Sequence, residues 1–153
     1  MAASPKIDEK NLWAWLRKAK AHFGRDLHIQ RIESSTGLGI PDVEVCLKKW
    51  PISYSFWIEL KAVARPARAS TPIRHNITAD QIAWHRNRYH AGGLSFVLLQ
   101  IGSGHESKKY LIPGAELLAF QAPLSEEEIG SKAREATDWT PQGLLDTCAC
   151  FEA

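Results

Sequence analysis

Two short segments of strictly alternating polarity, residues 42–48 and 54–62, constrain the fold more than any other part of this sequence. Successive side chains of a β-strand point to opposite faces, so both segments are predicted to be strands with one apolar face. Trp50-Pro51 lies in the short connection between them, which predicts an antiparallel hairpin. The apolar face of this hairpin is formed by Val43, Val45, Leu47, Phe56, Ile58 and Leu60.

The rest of the chain alternates predicted helices with further strands. Thr78 and Gln81 have the spacing of a capping box, as have Ser125 and Glu128, and each pair predicts a helix start. The predicted helices cover residues 8–23, 78–91, 114–120 and 125–136, with one more turn in 141–148, and the further strands cover 27–33, 95–101 and 109–112. This order predicts an α/β fold, a central mixed β-sheet flanked by helices, built as one domain over residues 1–153.

Composition excludes several classes of protein. The chain is 44% hydrophobic and 24% charged, as expected for a soluble globular domain rather than a disordered chain. No apolar run has the length of a membrane-spanning helix, and the charged N-terminal residues do not resemble a signal peptide, so we expect no membrane partner. Three cysteines, an odd number, favour a reducing compartment and a cytoplasmic location.

Charge is distributed unevenly along the chain although the net charge is only +2. Residues 61–90 contain six Lys or Arg and three His against a single acid, Asp80, whereas the C-terminal part is acidic. A basic segment of this kind predicts one positive face, which suits a phosphate backbone. A solvated loop and helix would show the same composition.

The hairpin brings acids together if its turn is centred between Trp50 and Pro51. Cross-strand partners then have numbers that sum to 101, so Asp42 faces Glu59 with β-carbons about 4.5–5.5 Å apart. Lys61 is two residues beyond Glu59 and shares its face. Two carboxylates this close favour a cation between them, and Mg²⁺ prefers such oxygen ligands. An ordinary solvent-facing hairpin would also carry Asp, Glu and Lys on its outer face.

These residues resemble the PD-(D/E)XK nuclease superfamily. Pro41-Asp42 matches the first element of its motif, and Glu59-Leu60-Lys61 matches the second, seventeen positions later. With Gln81 and Trp84 in the following helix, the chain looks most similar to the VRR-NUC nucleases and to archaeal-type and phage Holliday junction resolvases. The resemblance implies a restriction-endonuclease-like sheet and a site that holds Mg²⁺ or Mn²⁺.

The resemblance also implies roles for individual residues. Asp42, Glu59 and the main-chain carbonyl of Leu60 would hold the metal, Lys61 would be the catalytic lysine, and Gln81 would support the site. Related nucleases often supply a further upstream acid, for which we favour Glu33 over its rival Glu9. We expect DNA contacts from Arg31, Ser35, Arg65, Arg68, Arg74 and His75, the last four in a mobile loop.

The function that this reading predicts is metal-dependent endonuclease cleavage of DNA. A chain of 153 residues is little larger than such a catalytic core, which favours selection of DNA by shape, as in a Holliday junction resolvase acting on branched DNA. Symmetric cutting of two strands would require a homodimer. The alternatives are a VRR-NUC-like repair or flap nuclease, a restriction-like nuclease, or a module of the same fold that binds nucleic acid without cutting it.

Overall fold

Six strands form one sheet in the computed structural model, which describes residues 9–33, 38–136 and 138–151. They lie side by side in chain order and every neighbouring pair is antiparallel except the third and fourth, which are parallel. The strands are β1 (Leu27–Arg31), β2 (Val43–Lys49), β3 (Ile52–Val63), β4 (Leu94–Ile101), β5 (Lys108–Pro113) and β6 (Arg134–Ala136).

Helices cover both faces of this sheet. The helices are α1 (Glu9–Leu16), α2 (Ala19–Phe23), α3 (Ala79–His90), α4 (Glu126–Lys132) and α5 (Pro141–Ala149), with 3₁₀ segments at Gly24–Asp26, Gly104–Glu106 and Gly114–Gln121. Helices α1, α2 and α5 share one apolar core with the sheet, whereas α3, α4 and the last 3₁₀ segment share a second core on the opposite face. The predicted α/β fold with a central mixed sheet flanked by helices is therefore confirmed.

The β2–β3 hairpin has the register that the sequence predicts. Val43 pairs with Ile58 and Lys49 with Ile52, so each partner pair sums to 101. The apolar residues of both strands are buried on the face that α1 and α5 cover. A slip of one residue would expose this whole set, and its burial is what specifies the register.

The parallel pair β3–β4 is joined through α3. Helix α3 begins with the predicted capping box, in which the Thr78 hydroxyl accepts from the Gln81 N–H and the Gln81 side chain accepts from the Thr78 N–H. Strand β4 lies in the middle of the sheet and is buried on both faces, as its continuous apolar sequence predicts. The capped end of α3 is thereby placed beside the middle of β3.

Three predicted elements are wrong in extent. The single helix over residues 8–23 is two helices, because tight turns at Arg17 and Lys18 break it while Leu16 and Ala19 both stay buried. The helix predicted over 125–136 ends at Lys132, because the next residues pair with the edge of β5. The predicted turn in 141–148 is the helix α5, which Thr140 caps.

Within the described ranges no helix combines the length and apolar character needed to cross a membrane.

Candidate active site

The predicted acid pair lies where β2 and β3 part. Asp42 immediately precedes β2, and its Oδ2 accepts a hydrogen bond from the backbone N–H of Leu60 at 2.9 Å. Glu59 projects from β3 to the face covered by α3 and is only 3% exposed. Its Oε2 is buried and has no hydrogen-bond partner. The fold therefore removes a carboxylate from water and leaves one of its oxygens unpaired.

This environment raises the pKa of Glu59 to about 8. Burial is the largest cause, because removal from water disfavours the charged form. The charge of Asp42 adds to it, while Lys61 acts in the opposite direction. At neutral pH the pair therefore holds a proton unless another cation takes its place.

Lys61 lies on the same face, one pleat beyond Glu59. Its Nζ is 3.7 Å from Glu59 Oε1, and the residue is 8% exposed. An ammonium group at this position can donate hydrogen bonds to water or to a phosphate oxygen. The site thus combines two acids with one cation that is held at a defined position.

Gln81 connects this site to the start of α3. Its Oε1 is engaged by the Thr78 N–H in the capping box, so its amide nitrogen points away and donates to Glu59 Oε1 at 2.8 Å. One side chain thereby both caps the helix and orients the buried acid. Gln81 touches Glu59 and acts through it, as a positioning residue.

The segment before Asp42 packs closely on α3 at a glycine. Gly37 is outside the described residues, but Gly39 has a φ of 79° and lies against the first turn of α3. A Cβ on Gly39 would be 2.3 Å from the carbonyl oxygen of Asp80. The glycine therefore permits close packing of the Asp42 segment on α3.

Glu9, the rival of Glu33 as the additional acid, interacts electrostatically with Glu59, and which of the two serves the site stays a prediction. Glu9 begins α1, and its charge contributes to the raised pKa of Glu59. Glu33 is exposed in the segment after β1. The sequence places Glu33 nearer to the site, but the packing of α1 on β3 brings Glu9 towards Glu59.

Two of the expected DNA contacts are engaged inside the protein. His75 is 5% exposed: its Nε2 lies 3.1 Å from the carbonyl oxygen of Ala122, and its Nδ1 accepts from the Ile77 N–H. Burial also lowers its pKa, so His75 is a neutral packing residue. Arg65 forms a two-pronged ion pair with Glu126, at 2.8 and 3.0 Å. Both residues thus have partners within the protein, and their roles as DNA contacts stay predictions.

The other expected contacts divide by position. Arg31 pairs with Val43, so it leaves the sheet on the face opposite to Glu59. Ser35 lies outside the described residues. Arg68 and Arg74 are exposed in the connection between β3 and α3, and neither belongs to an ion pair of the described residues. Arg74 also lines an open cleft of about 640 Å³ at the end of β3.

The donor set fits one hard divalent cation. Asp42 and Glu59 supply carboxylate oxygens, and the unpaired Glu59 Oε2 is a ligand position without an occupant inside the protein. A strand residue directs its N–H and C=O to the same neighbour, so the Leu60 carbonyl faces the edge where its N–H meets Asp42. In residues 9–33, 38–136 and 138–151 no three His, Cys, Asp or Glu side chains cluster as ligands, which leaves remaining positions to water and substrate.

A cluster of two tryptophans and an arginine adjoins the site and was missed at the sequence level. The indoles of Trp57 and Trp84 meet edge to face with ring centroids 5.6 Å apart. The guanidinium of Arg88 lies 4.6 Å from the Trp84 ring and 5.8 Å from the Trp57 ring. The spacing of Gln81, Trp84 and Arg88 along one helix face was the available signal.

Comparisons with known proteins find similarity among solved structures. No family model and no curated protein matches the chain. Among solved structures it is similar to Hjc, a Holliday junction resolvase from the archaeal hyperthermophile Archaeoglobus fulgidus. The two are 14% identical, with a TM-score of 0.49, over 80% of this chain and 94% of that chain.

Proposed function

We propose that this protein is a metal-dependent nuclease that hydrolyses phosphodiester bonds in DNA. The observation that carries the proposal is the buried Oε2 of Glu59, which has no hydrogen-bond partner, in a side chain that interacts electrostatically with Asp42 and whose Oε1 lies 3.7 Å from Lys61 Nζ. A buried Glu59 beside the half-buried Asp42 costs stability and is best explained by a ligand that needs both acids. A divalent cation of the Mg²⁺ or Mn²⁺ type is the ligand that matches oxygen donors at this spacing.

The residues of the chain would divide the work of hydrolysis. Asp42, Glu59 and the Leu60 carbonyl would hold the cation, and Glu9 would add negative charge at its far side. When bound, the cation would polarise a phosphoryl oxygen and lower the pKa of a bound water. The Lys61 ammonium would orient the attacking water and offset charge on the phosphate. Gln81 would keep Glu59 in the orientation that the cation requires.

The substrate we propose is branched DNA, with the four-way junction as the leading form. Exposed Arg68 and Arg74 would contact phosphates on the way to the site, and such contacts position DNA without reading sequence. Symmetric cleavage of a junction would use a homodimer in the cytoplasm. A mass measurement in solution should therefore give twice the mass of one chain, and a single chain would refute symmetric resolution.

The test of catalysis compares matched variants on a panel of DNA shapes. Purified protein with Mg²⁺ should cut a four-way junction in preference to a flap or a linear duplex of the same sequence. Asp42→Asn and Lys61→Met should abolish cutting while DNA binding persists. Glu44→Gln removes a carboxylate on the same hairpin that hydrogen-bonds Gln30, and it should retain activity.

Each result has a distinct meaning. Full activity of Asp42→Asn would refute the assigned metal site. Cutting of flaps in preference to junctions would transfer the protein to the repair-nuclease alternative. Binding of all shapes with no cleavage in Mg²⁺ or Mn²⁺ would leave only a DNA-binding module.

A further inference from the structure

Next to the acid pair the protein carries a surface with the chemistry of a nucleotide-binding platform. The Trp–Arg cluster, which is Trp57, Trp84 and Arg88, lies on the same sheet face as Glu59. Trp57 is one pleat from Glu59 along β3, and Trp84 and Arg88 follow Gln81 on α3. The cluster thus lies directly beside Glu59 and Gln81.

The guanidinium of Arg88 is held in place but not neutralised. It lies against both indoles, and its stem crosses Gly93, where a Cβ would be 2.4 Å from Arg88 Cδ. Arg88 takes part in no ion pair of the described residues. A guanidinium stacked on an aromatic ring keeps the donors at its rim available for a phosphate.

An open cleft lies beside this cluster. Its volume is about 470 Å³, and it is lined by Trp84, Asn87, Arg88, Ala91, Gly92 and Gly93. That volume falls within the range of roughly 300–1,000 Å³ that small-ligand pockets occupy. An indole, a side-chain amide and a guanidinium around one cleft are the groups that hold a base and its phosphate.

Distances along the elements place the cleft a few nucleotides from the reaction. Arg88 is seven residues after Gln81 on α3, which corresponds to about 10 Å along the helix. The phosphates of an unpaired strand are spaced more widely than the roughly 3.4 Å per strand of a duplex, so the offset corresponds to only a few nucleotides. A single strand that passes Lys61 could therefore reach Arg88 without a gap.

We propose that the Trp–Arg cluster binds an unpaired nucleotide a few positions from the scissile phosphate, and so makes the protein selective for DNA with a single-stranded segment beside the cut. The inference rests on the proposed nuclease function. In a paired duplex the base faces are already stacked and offer nothing to an indole, whereas an unpaired base gains from it. The partly exposed indoles thus suit a substrate with an unpaired base beside the cut, and a four-way junction would supply one only where base pairs at its branch point open.

The experiment measures binding without cleavage, in EDTA, by fluorescence anisotropy. The probes are a paired duplex and the same duplex with one unpaired tail. The wild type should prefer the tailed DNA, and Arg88→Gln should reduce that preference by roughly fivefold or more. The matched control is Arg86→Gln, which removes an equal charge from the same helix but about 160° around it, and it should leave the ratio unchanged.

A second variant tests position rather than charge. Gly93→Ala keeps Arg88 but occupies the space of its stem, and it should reduce the preference as Arg88→Gln does. Equal losses in Arg86→Gln and Arg88→Gln, no wild-type preference, or an unaffected Gly93→Ala would each overturn the proposal. If the wild type prefers tailed DNA but cleaves nothing with Mg²⁺, the nuclease proposal fails and the platform stands. If it cleaves DNA while Arg88→Gln keeps the preference, only the platform fails.

Discussion

Replacement of Glu59 by glutamine should stabilise the metal-free protein while removing its activity. The pKa of Glu59 is about 8 in the folded protein against 4.5 in the unfolded chain, so the native state binds this proton more tightly. Its contribution to stability is therefore complete below pH 4.5 and is lost as the pH rises through 8. At 1.36 kcal/mol for each pH unit, the loss is about 3 kcal/mol at pH 7 and about 4 kcal/mol at pH 8.

Glutamine avoids this loss and keeps the local contacts. Its carbonyl oxygen can accept from Gln81, as Glu59 Oε1 does, and its NH₂ can donate to Asp42. Chemical denaturation in EDTA, followed by tryptophan fluorescence, should therefore show Glu59→Gln more stable than wild type by about 3 kcal/mol at pH 7, with little difference at pH 4.5. Mg²⁺ should raise the stability of the wild type and have no such effect on the variant.

Glu44→Gln is the control, since Glu44 lies on the same hairpin and hydrogen-bonds Gln30. It should leave the pH dependence of stability as in the wild type. If Glu59→Gln is no more stable than wild type at pH 8, burial of this acid stores no free energy and the reasoning is refuted.

Three further outcomes follow from buried or tightly packed groups. Burial lowers the pKa of His85 to about 4, so below pH 6.5 the unfolded chain binds a proton that the native state does not bind. The free energy of unfolding, measured by urea denaturation in the Glu59→Gln background, should therefore fall by about 3 kcal/mol between pH 6.5 and 4. A further His85→Leu substitution should remove this pH dependence. Gly39→Ala should lower the free energy of unfolding by roughly 2–4 kcal/mol and reduce cleavage, because the added Cβ overlaps α3. Gly24→Ala, also at positive φ but in open space, should lower the free energy of unfolding by about 1 kcal/mol and leave cleavage unchanged. Arg65→Met should destabilise the protein by about 1–2 kcal/mol in thermal unfolding, because the partly buried Glu126 carboxylate loses two donors. An unchanged melting temperature would show that this ion pair does not stabilise the fold.

The sequence alone predicted those features that depend on neighbours along the chain or across one turn. Alternation in 42–48 and 54–62 sufficed for the hairpin and its register, because one buried face allows only one pairing. The capping box of Thr78 and Gln81 sufficed for the start of α3, because both hydrogen bonds form within four residues. The acid pair Asp42 and Glu59 follows from that register, and its roles as metal ligands remain a prediction.

Packing between distant segments decided the rest. The local sequence is compatible with a continued helix both after Leu16 and after Lys132. The break of the first helix and the formation of β6 therefore depend on contacts with other parts of the chain, which for β6 is strand β5. The burial of His75 and the pairing of Arg65 with Glu126 give two expected DNA contacts partners within the protein. Neither burial nor the pairing is visible in a list of basic residues.

The additional acid shows the same division most clearly. Sequence proximity favoured Glu33, but electrostatic interaction depends on distance in space, and the docking of α1 on β3 brings Glu9 towards Glu59. The identity of the residues around the site was readable from the chain. The packing of helices on both faces of the sheet determines which of these residues are buried. It also leaves the Glu59 carboxylate with an unpaired oxygen.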